Sequence, residues 1–350
     1  MPQEQALTEA RQRIGPRGRR ESGSDSWRAR LEQSSALIAP ATLMLGLALA
    51  GGGYALTPRH VAGLVIWLLL VGMLALGAAG RATLGRPFYW TSGLIAGVAL
   101  FSGFSSLWSG SIELTVIEAD RVLVYLGVFL AAFLIAQTDQ RRQRFAEGIA
   151  ISVAVIALLA LASRLLPDLL SVSEGQGTGP RLRYPLGYWN ADGVVFAFAA
   201  ALCLWMSRRS LFTGLRWAAV GLLPSVLLAL YFTYSRGGLL ALAVGCGCLI
   251  ALSHDRLWLL ATLAIGAIGV LPALIAVQAR TTLADNFNGS EMVDQGLEVL
   301  AILVAGTALA LALFAGLRRL EGRRGELTGR ALELSRNPVV LKRITPPEST

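Results

Sequence analysis

The chain has 350 residues, 54% hydrophobic and only 15% charged, with a formal net charge of +9 at pH 7. Soluble domains carry about a quarter charged residues, so this composition excludes an ordinary soluble enzyme. The basic balance is read as membrane topology rather than nucleic-acid binding, because cytoplasmic loops collect Lys and Arg. Three cysteines, Cys203, Cys246 and Cys248, fall inside apolar runs. The spacing of the last two fits neither a redox pair nor a zinc knuckle, and all three read as small packing residues.

Residues 1–33 are polar, arginine-rich and without periodicity, and are expected to form a disordered basic cytoplasmic tail. Apolar runs follow at 35–55, 61–79, 88–107, 119–136, 147–166, 191–206, 217–233, 238–253, 257–277 and 297–315. Most have the length needed to cross a bilayer as a helix. The expected fold is all-α: a polytopic integral membrane protein of about ten transmembrane helices over 34–317. A basic tail, expected to be disordered, occupies 318–350. Gly93-x-x-x-Gly97 reads as a helix-packing notch.

With the N-terminus inside, ten spans return the C-terminus to the same side. Seven of the 31 Lys and Arg then lie outside or at the outer boundary: Arg59, Arg121, Arg164, Arg181, Arg183, Arg236 and Arg280. The others fall in inside segments, as the positive-inside rule requires of an N-in, C-in chain. Topology does not call for the outer arginines, which makes them the informative ones.

Two polar clusters stand out on the outer face. The first runs from Gly179 to Asp192 and holds Arg181, Arg183, Tyr184, Tyr188, Trp189, Asn190 and Asp192. The second is Tyr234-Ser235-Arg236-Gly237-Gly238. Arginine presents a planar fork of donors matched to phosphate oxygens, and the glycines beside Arg236 let a ligand approach the backbone. A diphosphate at a membrane surface suits this set; interfacial snorkelling is the plainer alternative. Asn190 and Asp192 open a helix, as a cap and a first-turn acid. Tyr184, Tyr188 and Trp189 read equally as an interfacial belt or as stacking partners for a sugar.

Outer carboxylates (Glu113, Glu118, Asp120, Asp168, Glu174, Asp285, Glu291, Asp294 and Glu298) include no pair of diagnostic spacing and read as solvated loop charges. His60, on a short outer turn, and His254, beside Asp255, join no metal-ligand or triad pattern. No phosphate-cradling loop is present, and neither a metal nor a cofactor is expected. The Asn288-Gly-Ser290 triplet reads as chance.

Arg183-x-x-x-Gly187-x-x-Asn190 opening one helix, and Tyr234-Ser-Arg-Gly-Gly238 opening another a helical hairpin later, resemble the O-antigen ligase and polymerase superfamily. Ser105-Ser-Leu-Trp-Ser109, followed by a helix with Arg121 near its start, is similar to that family as well. The resemblance implies a multi-pass protein of the bacterial inner membrane. It would take a glycan from a polyprenyl diphosphate carrier on the outer face and join it to a glycan or protein acceptor. It places Arg183 and Arg236 on the diphosphate, with Arg181 and Arg121 as regional candidates. Tyr184, Tyr188, Trp189, Asn190, Asp192 and Ser235 are supporting or glycan-contacting groups, and the transfer is inverting and metal-independent. Family enzymes carry a large outer loop with a catalytic His; here segment 278–296 is short and has none. Three readings stay open: a membrane glycan ligase or polymerase, a non-catalytic carrier-binding or assembly protein, and a transporter or flippase.

Overall fold

A computed structural model describes residues 23–77, 84–170, 180–285 and 290–336; among them the chain is all-helical, with no strand. The expected tails over 1–22 and 337–350, the triplet at Asn288, Glu174 and Gly179 lie outside the described residues. The helices are α1 (Gly23–Leu49), α2 (Leu56–Ala75), α3 (Arg86–Phe104), α4 (Ile112–Ile135), α5 (Asp139–Leu165) and α6 (Trp189–Arg209). Then come α7 (Thr213–Phe232), α8 (Arg236–Leu252), α9 (Arg256–Gln278), the short α10 (Thr281–Asp285) and α11 (Ser290–Arg336).

Each predicted apolar run falls on one of α1–α9 or on α11. Among the described residues seven helices are long and apolar enough to cross a membrane: α2, α3, α5, α6, α7, α9 and α11. α8 is apolar but has only 17 residues. α4 carries Glu113, Glu118, Asp120 and Arg121 in its first three turns. Helix starts follow local chemistry. Ser111 accepts from the Leu114 N–H and Thr138 from the Arg141 N–H, and the acids Glu113 and Asp139 sit in the first turns they cap.

Two boundaries differ from expectation. α1 begins at Gly23, inside the segment read as a disordered tail, and α11 runs to Arg336, beyond 317. Residues 318–336 are built largely from Arg, Leu and Glu, good helix formers that continue a helix already nucleated by its apolar half.

The helices pack in two groups. α2, α3 and α4 form one, around Ile66, Leu70, Val124 and Leu134. α5, α6, α7, α8, α9 and α11 form the larger, with α1 laid along α5. Its centre is Ala157, Phe196, Leu204, Leu223, Leu228 and Phe232, all fully or almost fully buried. Close helix approach in a bilayer favours small residues, and the structure uses glycines for it. A Cβ on Gly306 of α11 would run into the Gly269 carbonyl of α9, and one on Gly148 of α5 into the Leu37 carbonyl of α1. Gly93 and Gly97 are not such a notch: a Cβ on either meets nothing within 4 Å, because that face of α3 is uncovered. Large apolar side chains such as Leu68, Leu94, Phe101 and Leu271 face outward, as a lipid-exposed surface requires.

The antiparallel order gathers the loops at two ends. The upper end holds Gly51–Gly53, Ser105–Ser111, residues 180–188, Thr233–Ser235 and α10. The lower end holds a charged network. There Arg208 bridges Asp255 (3.1 Å) and Glu321 (2.6 Å), and Arg209 meets Asp255 (3.1 Å). Glu147, fully buried, accepts from Ser210 Oγ (2.7 Å) and the Leu211 N–H (3.2 Å) and pairs with Arg144 (3.3 Å). That carboxylate clamps the turn between α6 and α7.

Candidate functional site

The loop before α6 is held by backbone groups and by one buried cation. The buried Leu182 donates its N–H to the Phe232 carbonyl (2.8 Å), pinning the loop to the end of α7. Gly187 closes a turn through its N–H to the Arg183 carbonyl (2.6 Å), with φ +80°, a conformation glycine adopts without steric cost. Beneath the loop lies Arg164, 2% exposed, in the last turn of α5. Its guanidinium donates to the carbonyls of Pro180 (2.9 Å) and Leu283 (3.2 Å) and lies 5.3 Å from the centre of the Phe232 ring. A planar fork spans two separate carbonyls where an ammonium offers a point charge. Arg164 therefore ties residue 180 to α10.

The two polar clusters, 45 residues apart in sequence, meet here. Ser235 Oγ donates to Asn190 Oδ1 (2.8 Å) and accepts from the Gly238 N–H (3.0 Å), capping α8. Asn190 Nδ2 donates to the Tyr188 hydroxyl (2.7 Å). The helices cross closely at this level: a Cβ on Gly238 would lie 2.9 Å from the Gly193 backbone, and one on Gly193 2.8 Å from Ser235 Cβ. Tyr234, just before the cap, has φ +48°, a left-handed conformation that costs a non-glycine residue roughly 1–2 kcal/mol. Burial first, and its neighbour Tyr231 next, push the Tyr234 phenol above its ordinary value, so it is a neutral donor at pH 7.

Three cations border this hub. Arg181 and Arg183 both lie over Trp189, 4.9 Å and 5.6 Å from its ring centre, and Tyr188 packs on the same indole (5.1 Å between centres). Arg181 is exposed and Arg183 half-buried. Arg236 opens α8 and is exposed, one residue from Ser235. Tyr184 is half-buried, before a cis bond to Pro185. Arg121 stands apart. It lies on α4 in the other helix group, paired with Glu118 at 3.1 Å.

Two residues behave differently from the sequence reading. Asn190 does not cap α6. Tyr188 holds the cap position without a side-chain bond, and the Asn190 amide is engaged by Tyr188 and Ser235. Asp192 sits in the first turn of α6, as expected, but it is fully buried, and neither carboxylate oxygen makes a hydrogen bond of acceptable geometry among the described residues.

A second polar group at the upper end joins residues that sequence reasoning left separate. His60 Nε2 lies 3.2 Å from Asp120 Oδ2, and Arg59 Nε lies 3.6 Å from the same oxygen. These are charge proximities: the Asp120 oxygen and Arg59 Nε make no hydrogen bond of acceptable geometry among the described residues. The only sequence signal was that α2 and α4 both start at the upper end with charges in their early turns. Arg280 pairs with Glu298 (2.7 Å), so that arginine is committed to a neighbour. Among the described residues no three His, Cys, Asp or Glu side chains converge as metal ligands. An apolar cavity of about 650 Å³ between α3 and α4, lined by Ala96, Leu100, Phe104, Leu107, Ala119 and Leu123, holds none of the predicted site residues.

Fold and hydropathy together define a multi-pass helical membrane protein. Comparison with family models, curated proteins and solved structures returns no match.

Proposed function

We propose that this protein is a glycan ligase or polymerase of the O-antigen type. It binds a polyprenyl diphosphate-linked glycan at the outer face of the bacterial inner membrane. It then transfers that glycan to an acceptor, a glycan or a protein, in cell-envelope polysaccharide assembly. In this reading ten helices span the membrane, both termini lie inside, and the upper end is the outer face. The observation that carries the proposal is the bond from Ser235 to Asn190. It makes one hub of two motifs that resemble this superfamily, with Arg181, Arg183 and Arg236 around it. Guanidinium groups at a membrane boundary bind diphosphate oxygens through charge-assisted pairs of hydrogen bonds. They also stabilise the negative charge that grows on the diphosphate as it leaves. Trp189 holds two of these cations by its ring face, and Tyr188 adds a surface on which a sugar stacks.

A non-catalytic carrier-binding protein is the second reading. It is favoured by the burial of Asp192, which leaves the hub without an accessible carboxylate. A flippase is disfavoured because the polar groups of the site gather at one end rather than at mid-membrane.

The test is binding of a polyprenyl diphosphate to the purified chain in nanodiscs. A hydrogen bond to a charged group contributes about 1.5–3 kcal/mol, and about 1.4 kcal/mol is tenfold in affinity. Arg183→Glu and Arg236→Glu are each expected to weaken binding at least tenfold, and Arg121→Glu to leave it near wild type. Wild-type affinity in the double Arg183→Glu, Arg236→Glu variant refutes the site.

A further inference from the structure

We infer that the groove between α1 and α5 at the lower end is a binding site for an anionic phospholipid, held there by its phosphate. The groove has a volume of about 310 Å³ and is lined by Gln33, Ser34, Leu37 and Ile38 of α1 and by Arg144 of α5. It contains no residue of the hub, so this assignment is independent of the function proposed above. The sequence grades the groove from polar to apolar. Gln33 and Ser34 precede the apolar run that begins at 35, and Arg144 precedes the one that begins at 147. These three stand at the membrane boundary. Leu37 and Ile38 follow one helical turn later, on the hydrocarbon side. A soluble anion would use only the polar set, whereas a lipid uses both.

Two sets of contacts fix the walls. On the polar side Gln33 Nε2 donates to Gln140 Oε1 (3.1 Å), and Arg141 pairs with Glu32. On the apolar side Gly148 lets the Leu37 carbonyl come against α5, where a Cβ would collide with it. The cation in the groove is set in place beforehand. The Arg144 guanidinium lies 4.2 Å from the centre of the Phe212 ring, and its Nη1 is 3.3 Å from Glu147. Glu147 does not depend on that contact alone, because Ser210 Oγ (2.7 Å) and the Leu211 N–H (3.2 Å) also donate to it. A guanidinium carries five N–H donors, so Arg144 keeps donors for a phosphate while Nη1 faces Glu147. The exposed Ser34 hydroxyl is a further donor beside it.

Charge at this end selects an anionic headgroup. Arg142, Arg209, Arg216 and Arg256 stand at the lower end with Arg144, and arginines outnumber carboxylates there among the described residues. Anionic lipids concentrate against such a surface, and basic pockets between membrane helices hold their headgroups. Arginine meets phosphate oxygens through charge-assisted hydrogen bonds. Ile38, 53% exposed, gives the first methylenes of the acyl chain an apolar wall.

The experiment places the full chain in phosphatidylcholine nanodiscs with a small fraction of phosphatidylglycerol carrying a diazirine on its acyl chain, and maps the photocrosslinks by mass spectrometry. Saturable crosslinking to residues 33–38 is expected, displaced by unlabelled phosphatidylglycerol but not by added phosphatidylcholine or by soluble glycerol phosphate. Ser34→Glu and Arg144→Gln are each expected to raise the half-saturating lipid fraction at least tenfold, the worth of one hydrogen bond to a charged group. Ser34 is exposed, so its variant tests the groove without disturbing Glu147. Arg86→Gln, at the same end but on α3 in the other helix group, is expected to bind like wild type. Absence of a saturable crosslink at 33–38 overturns the assignment, as does wild-type binding by both groove variants. Displacement by glycerol phosphate or phosphatidylcholine overturns the anionic lipid as occupant. An equal loss in Arg86→Gln shows general surface charge in place of a site and refutes it as well.

Discussion

The contact between the two polar clusters makes a quantitative prediction independent of any substrate. Ser235→Ala removes the α8 cap, about 1 kcal/mol, and the bond to Asn190, about another 1 kcal/mol. Its expected cost is about 2 kcal/mol. Asn190→Ala removes the bonds to Ser235 and to the Tyr188 hydroxyl and is expected to cost about 1.5–2 kcal/mol. One bond is shared by both losses, so the double variant should cost less than their sum. Interhelical hydrogen bonds measured by such cycles in a membrane protein average about 0.6 kcal/mol and reach about 1.7 kcal/mol. A coupling energy of about 0.6–1.7 kcal/mol is therefore expected from reversible unfolding in mixed micelles. Additivity within about 0.3 kcal/mol would mean that Ser235 and Asn190 do not touch. The hub, and with it the joint arginine site, would then be refuted.

Two further perturbations probe the frame around the hub. Arg164→Met leaves the carbonyls of Pro180 and Leu283 without their cation and is expected to cost about 3 kcal/mol. It should also raise amide exchange across residues 180–188, measured by mass spectrometry, and Arg164→Lys should recover little of either. Gly306→Ala places a methyl against the Gly269 carbonyl and is expected to lower stability by about 1–3 kcal/mol. Gly97→Ala, with open space around it, should lie within about 0.5 kcal/mol of wild type in the same assay.

Much of the architecture was legible because it is local chemistry. Each apolar run became a helix, and Ser235 and Gly238 were marked as a helix opening before any contact was known. Packing was less legible. Gly93 and Gly97 have the spacing of a notch and face open space, whereas Gly148 and Gly306 are where helices touch. Spacing along one helix does not say which face a neighbour covers. Asn190 looked like a cap because its residue type favours that role, yet α6 starts one residue earlier and the amide side chain found a partner on another helix. Asp192 does lie in the first turn of α6, but nothing local marked it as buried. Glu147, also unremarkable in sequence, is a buried anchor because Arg144, Ser210 and Leu211 surround it.

The sequence by itself determined an all-helical, membrane-spanning chain and the order of its apolar segments. A bilayer leaves no other use for apolar runs of this length, since each backbone polar group within it must be paired inside its own helix. The sequence also marked the arginines that topology does not require. Tertiary structure alone decided which of them lie near one another. Arg181, Arg183 and Arg236 border one hub, Arg121 and Arg280 are paired elsewhere, and Arg164 turns inward to hold two carbonyls, one of them 119 residues away. It alone set His60 beside Asp120. Such groups meet only where helices distant in the chain cross, and where they cross is set by side-chain packing over whole helix faces rather than by any short stretch of residues.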